Sequence, residues 1–292
     1  MRWLTRLLVL MLYCVSANSL AQTITVTDDL GRDISLQGPA QRIISLAPSL
    51  TELLFVAGAG NRIVGVSEYS DHPPQAQGIP VVGRYDLLDM EAIVAFEPDL
   101  IVAWQSGNPQ AAVQRLIDLG FNVYVAEPRT LQSISVQIDK FGQLAGTQLT
   151  SDAAVQYFNE QLATLAARYS DAAPVSVFYQ VWNDPLISVG GNELINDVIS
   201  LCGGQNIFAD QGLAPKIGIE AVLSRDPEAI IASGMDIARP EWLDDWRRWP
   251  HLQAVQNDHL YFIPPDLVQR HSLRVLSGAL QMCAQLEQVR MQ

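Results

Sequence analysis

The sequence predicts an α/β protein of two duplicated lobes. Each lobe is a parallel-rich sheet covered by helices; one long helix joins them, and a ligand cleft lies between. Three observations carry this prediction. The chain has 292 residues, and at about 150 residues per domain that length implies two lobes. Short apolar runs alternate with amphipathic stretches, the pattern of buried parallel strands under covering helices. Finally, a block of sequence recurs: Glu91-Ala92-Ile93-Val94, then Pro98-Asp99-Leu100-Ile101-Val102-Ala103, returns 129 residues later as Glu220-Ala221-Val222-Leu223, then Pro227-Glu228-Ala229-Ile230-Ile231-Ala232. Thr51-Glu52-Leu53-Leu54 is echoed in the same order by Asn192-Glu193-Leu194-Ile195.

Residues 1–21 read as an export signal. Arg2 and Arg6 make a basic start, Leu7 to Val15 is an unbroken apolar run, and Ser19-Leu20-Ala21 has the small-x-small form of a cleavage site. The run is too short to span a bilayer, which takes about 20 apolar residues. Cleavage before Gln22 leaves a chain expected in the periplasm. Cys14 offers a rival reading, a lipoprotein acylated at that cysteine, although Tyr13 is bulky where such sites want a small residue. Cys202 and Cys283 remain as an even pair in an oxidising compartment, which favours a disulfide over two buried free thiols.

The elements follow in order. Thr23 to Thr27 and Asp33 to Leu36 form a hairpin around the turn Asp29-Leu30-Gly31-Arg32. Arg42 to Leu46 is a buried strand. Pro48 and Ser49 open a helix, with Ser49 and Glu52 as a capping box and Gly58 and Gly60 as its stop. Ile63 to Val66 is the next strand. Leu100 to Ala103 and Val123 to Val125 are strands around a helix from Pro109 to Leu119. From Asp152 to Ser170 there is no Gly or Pro, and Val155, Phe158, Leu162, Leu165 and Tyr169 make one apolar stripe. This is a helix of about 28 Å, placed as a rigid brace between the lobes. The expected boundaries are 22–148 for the N-terminal lobe, 149–172 for the interlobe helix and 173–292 for the C-terminal lobe.

Composition and motifs narrow the function. The chain is 49% hydrophobic and 17% charged, which excludes a disordered tail or a coiled coil. Acidic residues outnumber basic ones 31 to 18, a net charge of −13, so nucleic acid is not an expected partner. No Gly-x-Ser-x-Gly elbow, Walker loop or His-Glu-x-x-His motif is present. His72, His251, His259 and His271 are scattered, with no visible metal spacing. Neither catalysis nor a resident cofactor or metal is expected.

Aromatic residues beside turn chemistry at strand ends stand out instead. Tyr69 follows the strand Ile63 to Val66, Tyr85 follows Val81 to Arg84, Trp104 closes Leu100 to Ala103, and Trp182 ends Val177 to Val181. In open α/β sheets ligands bind beyond the carboxyl ends of strands, so these rings are expected to converge on one flat apolar surface.

With those residues in hand, the chain resembles the periplasmic vitamin B12-binding proteins, within the class of two-lobed, helical-backbone substrate-binding proteins that also serves siderophore and haem ABC importers. The likeness covers about Arg42 to Leu286. It is carried by Val64-Gly65-Val66-Ser67 through Tyr69-Ser70-Asp71 with Pro73-Pro74-Gln75-Ala76-Gln77, by Pro98 to Trp104, and by Cys202-Gly203-Gly204-Gln205-Asn206-Ile207-Phe208. Val26-Thr27-Asp28-Asp29-Leu30-Gly31-Arg32 is shared with the wider class. The resemblance implies that Tyr69, Tyr85 and Trp104 form the N-lobe wall against a corrin ring. Asp266 and Arg270 then hydrogen-bond its amide side chains. Tyr85 stands where better-known members have Trp. Ala214 replaces an aromatic before Lys216-Ile217, and Trp182 neighbours the position of another. Cys202 and Cys283 fall on the family's disulfide positions.

The same resemblance gives Glu91 and Glu220, one per lobe, the role of docking onto arginines of a two-fold symmetric permease. Without it, both are simply acids in the first turn of a helix, where the helix dipole favours them. The implied function is capture of cobalamin and delivery to an inner-membrane permease and its ATPase, by a receptor that stays monomeric until it docks. The alternative is a siderophore receptor using Arg84, Arg129, Arg239 and Arg270, or a haem receptor using Tyr69, His72 or His271.

Overall fold

The computed structural model describes residues 23–234 and 238–291; the predicted signal at 1–21, its cleavage before Gln22 and Cys14 lie outside them. An antiparallel hairpin opens the described chain, β1 (Ile24–Thr27) with β2 (Asp33–Leu36). Asp28 closes its turn: the carboxylate accepts from the backbone N–H groups of Leu30 and Arg32 and pairs with the Arg32 guanidinium at 2.5 Å.

The N-terminal lobe then runs β3 (Ile43–Ser45), α1 (Pro48–Val56), β4 (Ile63–Val66), the small hairpin β5 (Gly83–Arg84) and β6 (Leu87–Leu88), α2 (Met90–Ala95), β7 (Leu100–Trp104), α3 (Gln110–Asp118), β8 (Val123–Ala126) and α4 (Leu131–Ala145). Its sheet has the order β4-β3-β7-β8 and is parallel throughout. After α5 (Gln148–Tyr169) the second lobe runs β9 (Val175–Gln180), the hairpin β10 (Trp182–Asn183) and β11 (Leu186–Ile187), α6 (Leu194–Leu201), β12 (Gly204–Asn206), α7 (Ile219–Arg225), β13 (Ala229–Ala232), α8 (Gln253–Gln256), β14 (Leu260–Phe262), α9 (Pro265–Val268) and α10 (Val275–Arg290). Its sheet order is β12-β9-β13-β14, again all parallel. Position for position the two orders are the same, so the sequence repeat reports a true duplication of lobes.

The duplication reaches single residues. Glu97 and Asp226, 129 positions apart, both end a helix with positive φ, 45° and 41°. Two residues on, the Asp99 carboxylate accepts the backbone N–H groups of Gln41 and Arg42, while the Glu228 carboxylate accepts the N–H and hydroxyl of Ser176. Each acid thus ties the third strand of its lobe to the start of the first.

The central helix α5 has 22 residues and starts four residues before the predicted Asp152. At 1.5 Å per residue it is about 33 Å long. Its first turn is seated on the N-terminal lobe, where the Thr147 hydroxyl donates to the Ala57 carbonyl at 2.6 Å. A Cβ on Gly142 would lie 1.9 Å from the Ser151 hydroxyl, so only glycine lets α4 and α5 approach this closely. At the far end Arg168 and Tyr169 donate to Glu287 of α10 at 2.9 and 3.2 Å. Both ends of the helix are therefore tied, one to each lobe. Cys202, just past α6, and Cys283 of α10 form a disulfide across a separation of 81 residues.

Two local expectations are corrected. The capping box at Ser49 and Glu52 does not form: Ala47 is the N-cap of α1, Pro48 fills the first turn, and no side chain caps it. Glu52 is drawn instead to arginines of the other lobe. The strand expected over Val177 to Val181 ends at Gln180, and Trp182 begins the separate hairpin β10–β11.

Candidate ligand cleft between the lobes

Three of the four predicted rings gather at the carboxyl end of the N-lobe sheet. Trp104 ends β7; its ring centroid lies 6.3 Å from that of Tyr85, tilted by 46°. Tyr85 is held at the turn of β5–β6, and the segment before it extends the sheet through a parallel bridge between Val81 and Val66. Tyr69 projects from the loop after β4 and is 67% exposed. Its φ of 64° is left-handed, a strained state for an aromatic residue and one that clusters at binding sites.

The residues that hold these rings carry no signal in the sequence. Beneath Tyr69 runs a chain of buried hydroxyls: Thr51 donates to Ser45 at 2.9 Å, Thr51 and Ser70 share a bond of 3.1 Å, and Ser67 lies 3.5 Å from Ser70. The loop that strains Tyr69 is thereby locked to α1 and β3. Asn108, also buried, accepts from the Trp104 backbone N–H at 2.7 Å and donates to the carbonyls of Leu46 and Tyr85 at 2.9 and 2.7 Å. One amide thus fixes three segments of the wall. Gly107 completes the seat, since a Cβ there would fall 1.8 Å from the Trp104 ring.

The C-lobe wall is charged. Arg270 is 16% exposed at its side chain and reaches three carboxylates: Nη1 to Glu52 at 3.1 Å and to Asp71 at 2.6 Å, and Nε to Asp266 at 2.9 Å. Glu52 and Asp71 belong to the N-terminal lobe, so the guanidinium bridges the cleft. Glu52, only 3% exposed, also accepts from Arg274 Nη2 at 2.8 Å and from the Ser272 hydroxyl at 2.6 Å. Burial opposes the charge on Arg270, but Asp71, Asp266 and Glu52 raise its pKa further above the ordinary arginine value. Burial likewise opposes the Asp71 charge, yet the Arg270 hydrogen bond and charge lower its pKa overall. His271 stands edge-on to Trp104 with centroids 6.5 Å apart. Burial pushes the pKa of His271 down to about 4, against the hydrogen bond with the Pro128 backbone and helped by nearby Arg129.

A second interlobe pair mirrors the first. Arg129, after β8, lies 3.1 Å from Glu127 and 3.5 Å from Glu193 of the C-terminal lobe. Glu52 to Glu193 and Arg129 to Arg270 are the same offset of 141 residues. Each lobe therefore lends a glutamate to an arginine of the other. Burial pushes the Glu193 carboxyl up while Arg129 pulls it down.

The remaining predicted residues are placed as follows. Trp182 is exposed and its indole N–H donates to the Asp184 carbonyl at 2.9 Å, within its own hairpin. It pairs with Ile187, which bridges to Lys216, so Trp182 and the exposed Ala214 share one edge of the C-terminal lobe. No contact joins Trp182 to the other rings among the described residues. Glu91 and Glu220 are exposed in the first turns of α2 and α7. Each helix returns from the carboxyl end of its sheet to the third strand, which puts both glutamates at the end where the cleft opens. Among the described residues no group of His, Cys, Asp or Glu is arranged to hold a metal ion, and no helix is long and apolar enough to cross a membrane.

Two duplicated α/β lobes, one rigid connecting helix, an aromatic shelf on one wall and a charged seam on the other define a two-lobed ligand receptor. Comparison with known proteins agrees. Residues 43–267 match the family described as periplasmic binding protein, and the chain belongs to that family. It is 38% identical over 251 residues to the vitamin B12-binding protein of Vibrio cholerae serotype O1, covering 85% of this chain and 90% of that one. The corresponding protein of Yersinia pestis is 35% identical over 255 residues, covering 86% and 88%. Among solved structures, the periplasmic vitamin B12 binding protein of Vibrio cholerae superposes with a TM-score of 0.80 at 36% identity, covering 87% of this chain and 99% of that one. The periplasmic heme binding protein of the same organism shares the fold, with a TM-score of 0.74 at 22% identity over 84% of this chain and 98% of its own.

Proposed function

We propose that this protein captures cobalamin in the periplasm and delivers it to an inner-membrane ABC importer, by binding and without turnover. Its kinship with vitamin B12-binding proteins supports this reading. The structural observation that carries it is the charge state of the cleft. Four arginines are the candidates for gripping an anionic ligand, and each is already paired: Arg84 with Asp86 at 2.5 Å, Arg129 with Glu127 at 3.1 Å, Arg239 with Asp244 at 2.7 Å, and Arg270 with three carboxylates. At the seam Glu52, Asp71 and Asp266 outnumber Arg270 and Arg274, so a haem propionate or a siderophore carboxylate meets net negative charge. A neutral ligand rimmed with amides suits this seam, because carboxylates accept amide N–H groups and the free edge of Arg270 donates to amide oxygens.

In this reading Tyr69, Tyr85 and Trp104 take the flat face of the macrocycle, Trp182 meets it from the other lobe, and Asp266 and Arg270 orient its periphery. Glu91 and Glu220 register the receptor on the permease. The helix α5 and the two interlobe pairs keep opening small, so the cleft is largely pre-formed.

Calorimetric titration of the protein from Gln22 onward with cyanocobalamin, with haemin as control, tests the assignment. Saturable one-to-one binding of cobalamin at sub-micromolar strength is expected. Binding of haemin or a ferric siderophore with no heat from cobalamin would discard it.

A further inference from the structure

We propose that Asp71 is a specificity residue: by occupying the outward-facing N–H of Arg270 and adding a negative charge at the cleft mouth, it makes the site reject macrocycles that carry a carboxylate where cobalamin carries an amide. The inference rests on the cobalamin reading and adds to it a reason for selectivity.

The geometry singles out this residue. Of the three carboxylates on Arg270, Glu52 is buried in the seam and Asp266 lies on the same lobe four residues away. Asp71 is the most open of the three to solvent, its side chain 53% exposed against 29% for Asp266, and it reaches Arg270 across the cleft at 2.6 Å. It also sits two residues from Tyr69, on the loop that the hydroxyl chain locks in place. Both Nη1 hydrogens of Arg270 are used, by Glu52 and Asp71, and Nε faces Asp266; among the described residues Nη2 has no hydrogen-bond partner. An amide oxygen can take Nη2 while Asp71 stays. A carboxylate in the same place faces Asp71 in a partly desolvated setting, where like charges repel more strongly than in water. Without the Asp71 charge the cluster of Glu52, Asp266, Arg270 and Arg274 is neutral and the discrimination should vanish.

The test uses wild-type protein, Asp71→Asn and Asp71→Ala, each titrated with cyanocobalamin and with a derivative in which one peripheral amide is hydrolysed to the acid. Wild type should prefer the amide form by about tenfold, the order expected for one partly screened like-charge contact. In both variants the ratio should fall toward one. A preference unchanged in both variants overturns the proposal and leaves the cobalamin reading intact. Failure of wild type to bind either corrinoid refutes the cobalamin reading instead. Haemin, an anionic macrocycle, then carries the comparison: tighter haemin binding by Asp71→Asn upholds the gate, and equal binding overturns it.

Discussion

Replacing Glu52 by alanine tests the seam. In the folded protein this buried carboxylate receives four donors: Arg270 Nη1 at 3.1 Å, Arg274 Nε at 3.1 Å, Arg274 Nη2 at 2.8 Å and the Ser272 hydroxyl at 2.6 Å. Removing one partner of a buried ion pair costs about 3–5 kcal/mol, chiefly because the other charge is left unpaired. Here two aspartates remain for the two arginines, Asp266 approaching Arg274 at 3.5 Å, so no net charge is stranded. The cost therefore falls at the lower end, about 3 kcal/mol, or roughly 6–12 °C in Tm for a protein of this size. Urea unfolding followed by tryptophan fluorescence measures it, since Trp104 reports the N-terminal lobe and Trp246 the C-terminal one. Because Glu52 is one of the ties between lobes, the variant should also unfold in two resolved steps where wild type shows one. A change below about 1 kcal/mol with a single transition would refute the argument that this cluster couples the lobes.

Other expectations follow from the same geometry. Gly107→Ala drives a methyl into the Trp104 ring and should weaken cobalamin binding about tenfold at a cost of about 1–3 kcal/mol in stability, which titration and thermal melting check together. His271, neutral in the fold with its pKa lowered to about 4, gives a stability term complete above its unfolded value near 6.5 and lost as pH falls through 4; unfolding free energy should drop by roughly 2 kcal/mol between pH 7.5 and 5, and His271→Asn should flatten that slope. Cys202→Ser with Cys283→Ser opens a loop whose closure is worth about 4.5 kcal/mol on the chain-entropy model, an upper value that denaturant titration would measure. Glu91→Ala with Glu220→Ala should reduce transport into permease-containing vesicles with cobalamin affinity intact; a fall in affinity would count against the docking role.

Much of this fold is legible locally. The apolar runs at Ile43, Leu100, Val123 and Ala229 are strands because buried parallel strands must be apolar on both faces, and the Glu91 and Glu220 blocks mark the duplication. What escaped needed partners distant in the chain. Glu52 looks like a capping residue three positions after Ser49, yet its guanidinium partners are 218 and 222 residues away. The echo of Glu52 in Glu193, a charge kept beside apolar neighbours in both copies, was the available signal. Asn108 and the hydroxyls of Ser45, Thr51, Ser67 and Ser70 left no signal: Ser, Thr and Asn at strand ends read as turn chemistry, and only folding shows that they interlock. Val181 continues the apolar run and so suggests a strand end at Trp182, but the hairpin that follows Gln180 takes Trp182 out of the sheet.

The crossed pairs Glu52 with Arg270 and Glu193 with Arg129 have the form of an isologous dimer contact, in which residue i of one copy meets j of the other and j meets i. Here the two copies are fused into one chain, and the pairs fall on opposite sides of the pseudo-dyad that relates them. Tethers so placed oppose rocking, because a tilt that slackens one stretches the other. The lobes can part only by straining both together, so a force applied to one lobe alone is resisted by both pairs.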